Sequence, residues 1–311
     1  MVVKRYPLAV VIPTYNRADI LIECLKHLED QSFKDFEIVI VDDGSTDSTS
    51  DRIASYLINT PLSVRYMRQE NSGPARARNL AISTIQAPIS LLIGDDIFAS
   101  PSLVAEHLQL HSRRSEPSVA ALGLTRWSEK GQTVTPFMRW LDSGDGLQFR
   151  YDLLLSGKSP DWTDFYTSNL SLKTSVLKDF PFDESFPYAA MEDIELACRI
   201  EAKQGLEMVF LPNAFAHHLH PTSFAQACRR MVMAGESTAY FHQLWPEKRQ
   251  KKRNKLKVLL QSIMLAQPGA MQFWVKLANW SLKLACPNLL MRYVLSCHFA
   301  MGYNRQSQRA P

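Results

Sequence analysis

The sequence contains few cysteines, and their spacing excludes the structures that cysteine usually supports. Only five occur in 311 residues, at positions 24, 198, 228, 286 and 297. None belongs to a C-x-x-C pair, and no group of them has the spacing of a zinc site. An odd number of widely separated thiols does not make a disulfide framework, so we expect a reducing compartment.

The chain also has no recognisable internal repeat, low-complexity tract or N-terminal secretory signal. Its first apolar run, residues 7–13, is short and has a proline at each end, unlike the core of a signal peptide. Hydrophobic residues make up 46% of the sequence and charged residues 21%, as in ordinary globular proteins. This length can bury a large core as one large domain or as two smaller ones.

Positive charge is concentrated in one short segment. The formal net charge is +4, but residues 248–257 carry seven basic side chains and no acidic one. Without those seven charges, the rest of the chain has a net charge of −3. No nucleic-acid recognition module accompanies the basic run, so we expect no nucleic-acid partner.

An apolar run that ends in two adjacent carboxylates is the most informative local pattern. Residues 91–98 read Leu-Leu-Ile-Gly-Asp-Asp-Ile-Phe, which is typical of a buried parallel strand with a ligand site at its end. Asp95 and Asp96 repel each other unless they share a cation or a basic group. Ser100 and Pro101 form a better start for the next helix, so a metal or ligand role is favoured over capping.

Three further segments have the composition of buried or half-buried strands: residues 8–12, 36–41 and 64–67. Helical patterns lie between them, which predicts right-handed βαβ units and a doubly wound sheet. Parallel strands bring the loops at their carboxyl ends to one edge of the sheet. Three such loops are polar: residues 14–16, 42–45 and 94–96. Any one of them suits a turn or a helix cap, but the three together favour a nucleotide-type site.

Short motifs follow one another in a distinctive order. The N-terminal half has Val-Val-Ile-Pro-Thr-Tyr-Asn-Arg, Val-Asp-Asp-Gly-Ser-Thr-Asp, Gly-Pro-Ala-Arg-Ala-Arg-Asn and Gly-Asp-Asp. The other half has residues 168–173, 182–184, 191–200, 211–214, 218–221 and 229–231. This set, over about residues 7–240, resembles the inverting family 2 glycosyltransferases. The resemblance implies an α/β GT-A fold, with a Rossmann-like, doubly wound, mostly parallel sheet and a C-terminal helical extension.

The resemblance also implies roles for individual residues. The donor, a nucleotide sugar, would be bound by Pro13, Tyr15, Asp43, Arg78 and Asp95. Asp96 and His218 would bind a divalent metal ion, and Asp193 would be the catalytic base. The acidic motif of the family is often written D-x-D, and here Gly94 occupies its first position. Asp96 is therefore the favoured metal ligand.

The residue types suit these donor-binding roles. The Asp43 carboxylate can accept a hydrogen bond from a nucleobase or a ribose hydroxyl, and Tyr15 can stack nearby. The guanidinium of Arg78 matches phosphate oxygens, although a solvated role for this side chain stays open. The helix that starts after Gly73 would add backbone N–H donors for the pyrophosphate.

The metal and the base follow similar reasoning. Carboxylate, phosphate and imidazole ligands suit Mn²⁺, with Mg²⁺ as a substitute, and His217, His218 and His220 all remain possible ligands. Inversion requires a carboxylate opposite the leaving group, and Asp193 stands at the start of a predicted helix whose dipole favours its charged form. Ordinary helix stabilisation is the alternative for Asp193.

The C-terminal part changes character. We expect a glycosyltransferase domain at residues 1–225 (donor side 1–100, acceptor side 101–225) and a helical region at residues 226–311. Residues 258–275 lack charge, but Pro268 and Gly269 interrupt them. Helices lying on an anionic membrane surface are therefore favoured over a span, and a plain helical cap stays open.

The expected function is transfer of a sugar, with inversion, from a nucleoside diphosphate sugar to a glycan or lipid-linked acceptor. A UDP-sugar is the favoured donor, and the pathway is cell-surface polysaccharide or glycolipid synthesis. The enzyme would be cytoplasmic and peripheral on the cytoplasmic membrane face. The alternative is a catalytically inactive protein that binds sugar nucleotides or glycans. A pyrophosphorylase is disfavoured because the loop after the first strand has no glycine. A processive synthase is disfavoured because Pro136 replaces the glutamine of Q-x-x-R-W.

Overall fold

The computed structural model describes residues 4–143, 147–249 and 288–309, together with residue 275. The chain divides into two compact units. The first contains Met1–Val134, Arg139–Glu184 and Asp193–Pro221; the second contains Thr135–Met138, Ser185–Glu192 and Thr222–Pro311. The predicted boundary at residues 225/226 stays a prediction.

Eight strands form one sheet in the described part of the first unit. They are β1 (Leu8–Thr14), β2 (Glu37–Asp42), β3 (Ser63–Arg68), β4 (Ile89–Ile93), β5 (Ile97–Ala99), β6 (Val119–Trp127), β7 (Asn169–Lys173) and β8 (Glu207–His218). Their spatial order is β3-β2-β1-β4-β7-β6-β8-β5. The first four are mutually parallel, β6 pairs parallel with β8, and β7 and β5 pair antiparallel with their neighbours. This confirms the predicted mixed, doubly wound α/β architecture.

Ten α-helices occur in the described residues. They are α1 (Ala18–Glu29), α2 (Thr49–Leu57), α3 (Pro74–Thr84), α4 (Leu103–Arg113), α5 (Pro136–Leu141), α6 (Tyr151–Leu155), α7 (Thr174–Asp179), α8 (Glu192–Gln204), α9 (Phe224–Leu244) and α10 (Asn288–Arg309). Short 3₁₀ turns occupy Trp162–Asp164 and Pro246–Lys248.

The first strand is continuously apolar because helices cover both of its faces. Its even-numbered residues, Leu8, Val10 and Ile12, pack in the same core as Leu21 and Leu25 of α1. The odd-numbered residues pack in a second core with α3: Ala9 and Val11 against Ala77 and Ala81. Successive side chains of a strand point to opposite faces, so both faces need apolar residues.

The stretch around Asp95 contains the ends of two strands. β4 stops at Ile93, so Asp95 and Asp96 lie just past its end, as predicted, and β5 begins separately at Ile97, paired with β8. The predicted start of the next helix was wrong. The next helix begins at Leu103, with Ser102 rather than Ser100 at its cap. Instead, the Ser100 carbonyl accepts the Leu103 N–H at 3.1 Å, which closes a turn before the helix.

In the second unit, α9 and α10 pack at very short range through glycine. A Cβ added at Gly302 would clash with the Val232 carbonyl oxygen, and one at Gly235 would clash with that of Phe299. Only glycine allows the two backbones to approach this closely. Among the described residues, no helix is both long and apolar enough to cross a membrane. The segment at 258–275, for which surface-lying helices were predicted, lies outside those residues except for residue 275, and so does most of the basic run.

Candidate active site

The polar loops after β1, β2 and β4 meet at one edge of the sheet, as predicted. The Thr14 hydroxyl donates to Asp95 Oδ2 at 2.7 Å. Asn16, which adopts a positive φ of 52°, accepts at its Oδ1 from the backbone N–H groups of Thr46 (2.7 Å) and Asp47 (3.2 Å). These contacts join the first loop to both of the others. The edge therefore has the shared polar surface that a nucleotide site requires.

Asp43 organises the loop that leads into α3. Its carboxylate accepts from the N–H groups of Ser72 and Gly73, each at 2.8 Å, and from Gln69 Nε2 at 2.7 Å. Gly73 has a φ of 90°, which an L side chain rarely adopts, and Pro74 begins the helix. Asp43 thus fixes the N-terminus of α3 at the sheet edge. Its predicted role in binding the nucleotide stays a prediction.

The other predicted donor-binding residues differ in exposure. Pro13 is half-buried within β1, whereas Tyr15 is 45% exposed in the following loop and open to stacking. Arg78 is buried on α3, and its guanidinium lies over the Phe182 ring at 5.4 Å. A cation–π contact of this kind holds the group in place. The predicted roles of these three residues stay predictions.

Asp96, His218 and His220 form the one described cluster that could hold a metal ion. Each offers one ligand atom, and these atoms lie within 4.8 Å of one another. Asp96 Oδ2 lies 3.4 Å from His218 Nε2 and 3.1 Å from His220 Nδ1. Asp96 and His218 are buried, and His220 is half-buried. The sequence prediction named Asp96 and His218 as ligands and left His220 open.

Strand alternation separates His217 from this cluster. His217 pairs with Phe98 and His218 pairs with Ile97 where β8 meets β5, so the two histidines face opposite sides of the sheet. His218 stacks on Trp127, with ring centroids 5.1 Å apart and an interplanar angle of 8°. That stack fixes the plane of the His218 imidazole beside Asp96.

Arg17 completes the cluster, and sequence reasoning did not assign it a role. Its Nη1 lies 3.0 Å from Asp95 Oδ1 and 2.6 Å from Asp96 Oδ2, and its Nη2 lies 3.2 Å from His220 Nδ1. The two aspartates do share one basic group, as their mutual repulsion requires. The available signal was the basic residue directly after Asn16, in a loop expected to reach the same edge.

The two aspartates have different electrostatic environments. Burial, together with the charge of Asp96, raises the pKa of Asp95 to about 6, against the lowering effects of Arg17 and Thr14. Burial also acts to raise the pKa of Asp96. The charge and hydrogen bond of His218, with His220 and Arg17, outweigh burial and hold that pKa well below its usual range. Asp96 therefore stays charged to lower pH than Asp95, and a metal-binding carboxylate must be charged.

Asp193 lies in the first turn of α8, as predicted, and its Oδ1 accepts from the Ile194 N–H at 2.9 Å. The side chain is half-buried, while Leu196 and Ala197 anchor the helix in the core. Met191, two residues earlier, has a φ of 73° and turns the chain into the helix. Such backbone strain often occurs at functional sites. The catalytic role of Asp193 stays a prediction.

The donor set of the cluster fits a divalent transition metal. One carboxylate oxygen and two imidazole nitrogens converge from β8 and the loop after β4, and a phosphate oxygen could add to them. The stack on Trp127 orients His218, in the way that surrounding residues commonly orient metal-binding histidines. Mn²⁺ suits this mixture, and Mg²⁺ could replace it.

Known proteins give independent information on the fold. The chain resembles the mannosyltransferase PcManGT from Pyrobaculum calidifontis, solved in complex with GDP-Man and Mn²⁺. The TM-score is 0.64 at 18% identity, over 98% of this chain and 88% of that one. It also resembles S. aureus TarS 1-349 in complex with UDP-GlcNAc, with a TM-score of 0.54 at 15% identity, over 97% and 91% of the two chains. These likenesses show a shared GT-A fold.

Sequence comparison identifies the family. A validoxylamine A glucosyltransferase from Streptomyces hygroscopicus subsp. jinggangensis is 31% identical over 259 residues, which cover 72% of this chain and 60% of that protein. The chain therefore spans somewhat less than two thirds of that relative. The model of the family described as "Glycosyl transferase family 2" matches residues 9–177. This protein belongs to glycosyl transferase family 2.

Proposed function

We propose that this protein is a divalent-metal-dependent, inverting glycosyltransferase. It moves a sugar from a nucleoside diphosphate sugar to a hydroxyl of a glycan or lipid-linked acceptor. The observation that carries the proposal is the cluster of Asp96, His218 and His220, which lies where the loops after β1 and β4 meet. A cation-binding cluster beside a nucleotide-type sheet edge suits a diphosphate leaving group.

The donor is a nucleotide sugar, and we favour a UDP-sugar. Two solved proteins of similar fold are complexes with GDP-Man and with UDP-GlcNAc, and a relative in sequence is named a glucosyltransferase. Asp43 and the exposed Tyr15 would contact the base and ribose. Pro13 and Asp95 would line the same edge, and Arg78 on α3 would face the pyrophosphate.

Asp96, His218 and His220 would hold Mn²⁺ or Mg²⁺. When bound, the ion supplies positive charge that stabilises the departing diphosphate. Arg17 shares an oxygen of Asp96 and would rearrange as the site fills. Trp127 stacks on the face of the His218 ring, and Asp96 Oδ2 lies 3.4 Å from its Nε2, so the ring is oriented before a metal ion binds.

Asp193 would act as the general base. It takes the proton of the acceptor hydroxyl while that oxygen attacks the anomeric carbon from the face opposite the diphosphate. The bond between the anomeric carbon and the phosphate oxygen breaks, and the nucleoside diphosphate leaves with the bonding pair. One displacement inverts the anomeric centre.

The pathway and the place of action are also part of the proposal. Residues 1–225 would form the transferase, with the donor side in 1–100, and residues 226–311 would form a helical region. The basic run at 248–257 supports a peripheral position on an anionic cytoplasmic membrane face. An acceptor at that surface suits cell-surface glycan or glycolipid synthesis.

The test is donor turnover. The purified chain is incubated with UDP-, GDP- and dTDP-sugars plus Mn²⁺, and release of nucleoside diphosphate is measured with and without acceptor glycans. We expect release with one nucleotide class, UDP first, and product of inverted anomeric configuration by NMR. A protein that binds a donor but never releases nucleotide with any acceptor would instead be an inactive sugar-nucleotide-binding member of the family.

A further inference from the structure

A cavity of about 880 Å³ lies in the first unit, on the face of β8 that turns away from Asp96. We call it the α1–β6 cavity, because it is walled by the end of α1, by β5, by the end of β6 and by residues of the segments 128–134 and 139–143. His217 lines it, whereas the adjacent His218 belongs to the metal cluster. Its volume is within the range of small-molecule sites, which is about 300–1,000 Å³.

The cavity has flat, weakly polar surfaces. Phe98 is 5% exposed, and His27 stacks on it with ring centroids 4.9 Å apart and an interplanar angle of 10°. Trp127 lies in the same wall, and the exposed ring of His217 meets Phe215 edge-on at 4.7 Å. Phe98 and Trp127 are buried, with His27 and His218 stacked on them, so the partly exposed rings of this wall are those of His27 and His217. Flat rings of this kind suit the apolar C–H faces of sugar rings.

The polar groups of the cavity are fixed in position. Arg126 donates through Nη1 to Asp142 Oδ2 at 3.0 Å and through Nη2 to Asp152. Asp142 is buried, and burial raises its pKa to about 6 against the lowering effect of Arg126. Burial also lowers the pKa of His217, with help from the charges of His27 and Lys130. A neutral imidazole offers one donor and one acceptor, which matches a hydroxyl.

The charge balance disfavours a strongly anionic ligand. Three lining residues are basic: Arg126, Lys130 and Arg139. Four are acidic: Asp30, Glu129, Asp142 and Asp152. With one excess negative charge, the wall would repel a nucleoside diphosphate, whereas a neutral polyol can use donors and acceptors of both signs.

We propose that the α1–β6 cavity binds a neutral segment of a glycan, at a site separate from the centre where the sugar is transferred. The proposal rests on the proposed function only for its biological role, which is to hold a growing acceptor chain. Binding itself needs neither a donor nor a metal ion. His217 and His218 face opposite sides of β8, and Trp127 lies between the cavity and the Asp96 cluster, so the two sites are adjacent but do not share a ligand atom.

The test compares two histidines, one from each site. The 311-residue chain is labelled and applied, in the presence of EDTA, to an array of neutral and charged glycans that includes oligomers of glucose, galactose, mannose and N-acetylglucosamine. We expect binding to neutral glycans. His217→Ala should weaken it at least tenfold, and Val134→Trp, which adds bulk to the cavity wall, should abolish it. His220→Ala, at a residue of the Asp96 cluster that does not line the cavity, should leave it unchanged.

Several results would overturn the proposal. They are no binding to any neutral glycan, binding confined to charged glycans, or wild-type binding by both His217→Ala and Val134→Trp. Loss of binding in His220→Ala alone would place the glycan at the Asp96 cluster instead. Because the array needs no turnover, an inactive protein that still bound neutral glycans would refute the proposed function and support this site.

Discussion

The guanidinium of Arg17 lies 2.6 Å from Asp96 and 3.0 Å from Asp95, so one side chain bridges both carboxylates after the end of β4. The same group reaches His220 at 3.2 Å. Arg17 therefore contacts two of the atoms that would bind a metal ion, Asp96 Oδ2 and His220 Nδ1. Its charge should oppose that of a second cation at the same place.

We expect Arg17→Gln to raise the affinity of the protein for Mn²⁺ by about tenfold or more when no donor is present. Two unit charges 4 Å apart interact by about 1 kcal/mol even in water, and Mn²⁺ carries two charges, so removing Arg17 relieves about 2 kcal/mol of repulsion, which is more than tenfold in affinity. Electron paramagnetic resonance of free Mn²⁺ measures the affinity. Arg52→Gln is the control, because Arg52 pairs with the exposed Asp19 instead. Equal or weaker Mn²⁺ binding by Arg17→Gln would show that Arg17 does not compete for the site.

Asp193→Asn keeps the shape of the side chain but removes the base. We expect kcat to fall by about 10²–10⁴-fold, the usual effect of losing a general base. Donor affinity, measured by calorimetry with Mn²⁺ and a nucleotide sugar, should change little. Glu201→Gln, at an exposed position of the same helix, is the control and should keep full activity. If Asp193→Asn loses donor affinity while turnover per bound donor is preserved, then Asp193 serves binding or structure.

Two buried histidines should make the fold sensitive to acid. Burial lowers the pKa of His107 to about 4, and burial with the charge of Lys173 does the same for His111. Both rings contact the Ser171 hydroxyl, at 2.8 and 2.9 Å. The unfolded chain titrates near 6.5, so it binds more protons than the folded chain between pH 6.5 and about 4. Stability should be complete above pH 6.5 and fall as the pH falls towards 4.

Thermal unfolding followed by circular dichroism across this pH range is the measurement. His111→Gln can still donate to Ser171 but does not titrate, so its melting temperature should fall less steeply with acid than that of the wild type. Identical slopes for the two proteins would mean that His111 is not responsible. A wild-type melting temperature independent of pH between 6.5 and 4 would contradict the account of both histidines.

Much of the candidate site at the sheet edge could be predicted from local sequence. The continuous apolar character of β1 and β4 follows from burial on both faces, and parallel pairing then brings Thr14 and Asp95 to one edge. Arg17 could not be assigned in this way, because its partners are 78 and 79 residues away and nothing local shows where a long side chain points.

The histidine motif shows a second limit of prediction from the sequence. Alternation requires that His217 and His218 face opposite sides, but only the register of β8 against β5 decides which of them meets Asp96. His220 enters the cluster after the strand has ended, beyond any periodic pattern. The start of α4 was misplaced for a related reason, since Ser100 and Ser102 both have the chemistry of a cap.

The basic run should hold the protein on anionic membranes. Each basic residue near such a surface contributes about 1 kcal/mol, so seven suffice for binding that salt can reverse. We expect sedimentation with phosphatidylserine-containing vesicles, partial release by high salt, and weaker binding when Lys251, Lys252 and Arg253 are changed to Gln. The control changes three exposed lysines elsewhere: Lys4, Lys26 and Lys34. Release only by detergent would favour a span through residues 258–275, and no vesicle binding would leave a plain helical cap.

Metal-dependent donor turnover by Asp96→Ala and the wild type is the most direct test of the central claim. In the wild type, excess chelator should abolish release of nucleoside diphosphate from the donor, and added Mn²⁺ should restore it. Asp96→Ala should match the chelated wild type and not recover with Mn²⁺. Full wild-type activity in excess chelator would contradict metal dependence. Near-normal, metal-responsive activity of Asp96→Ala would contradict the assignment of Asp96 and move the ligand to Asp95.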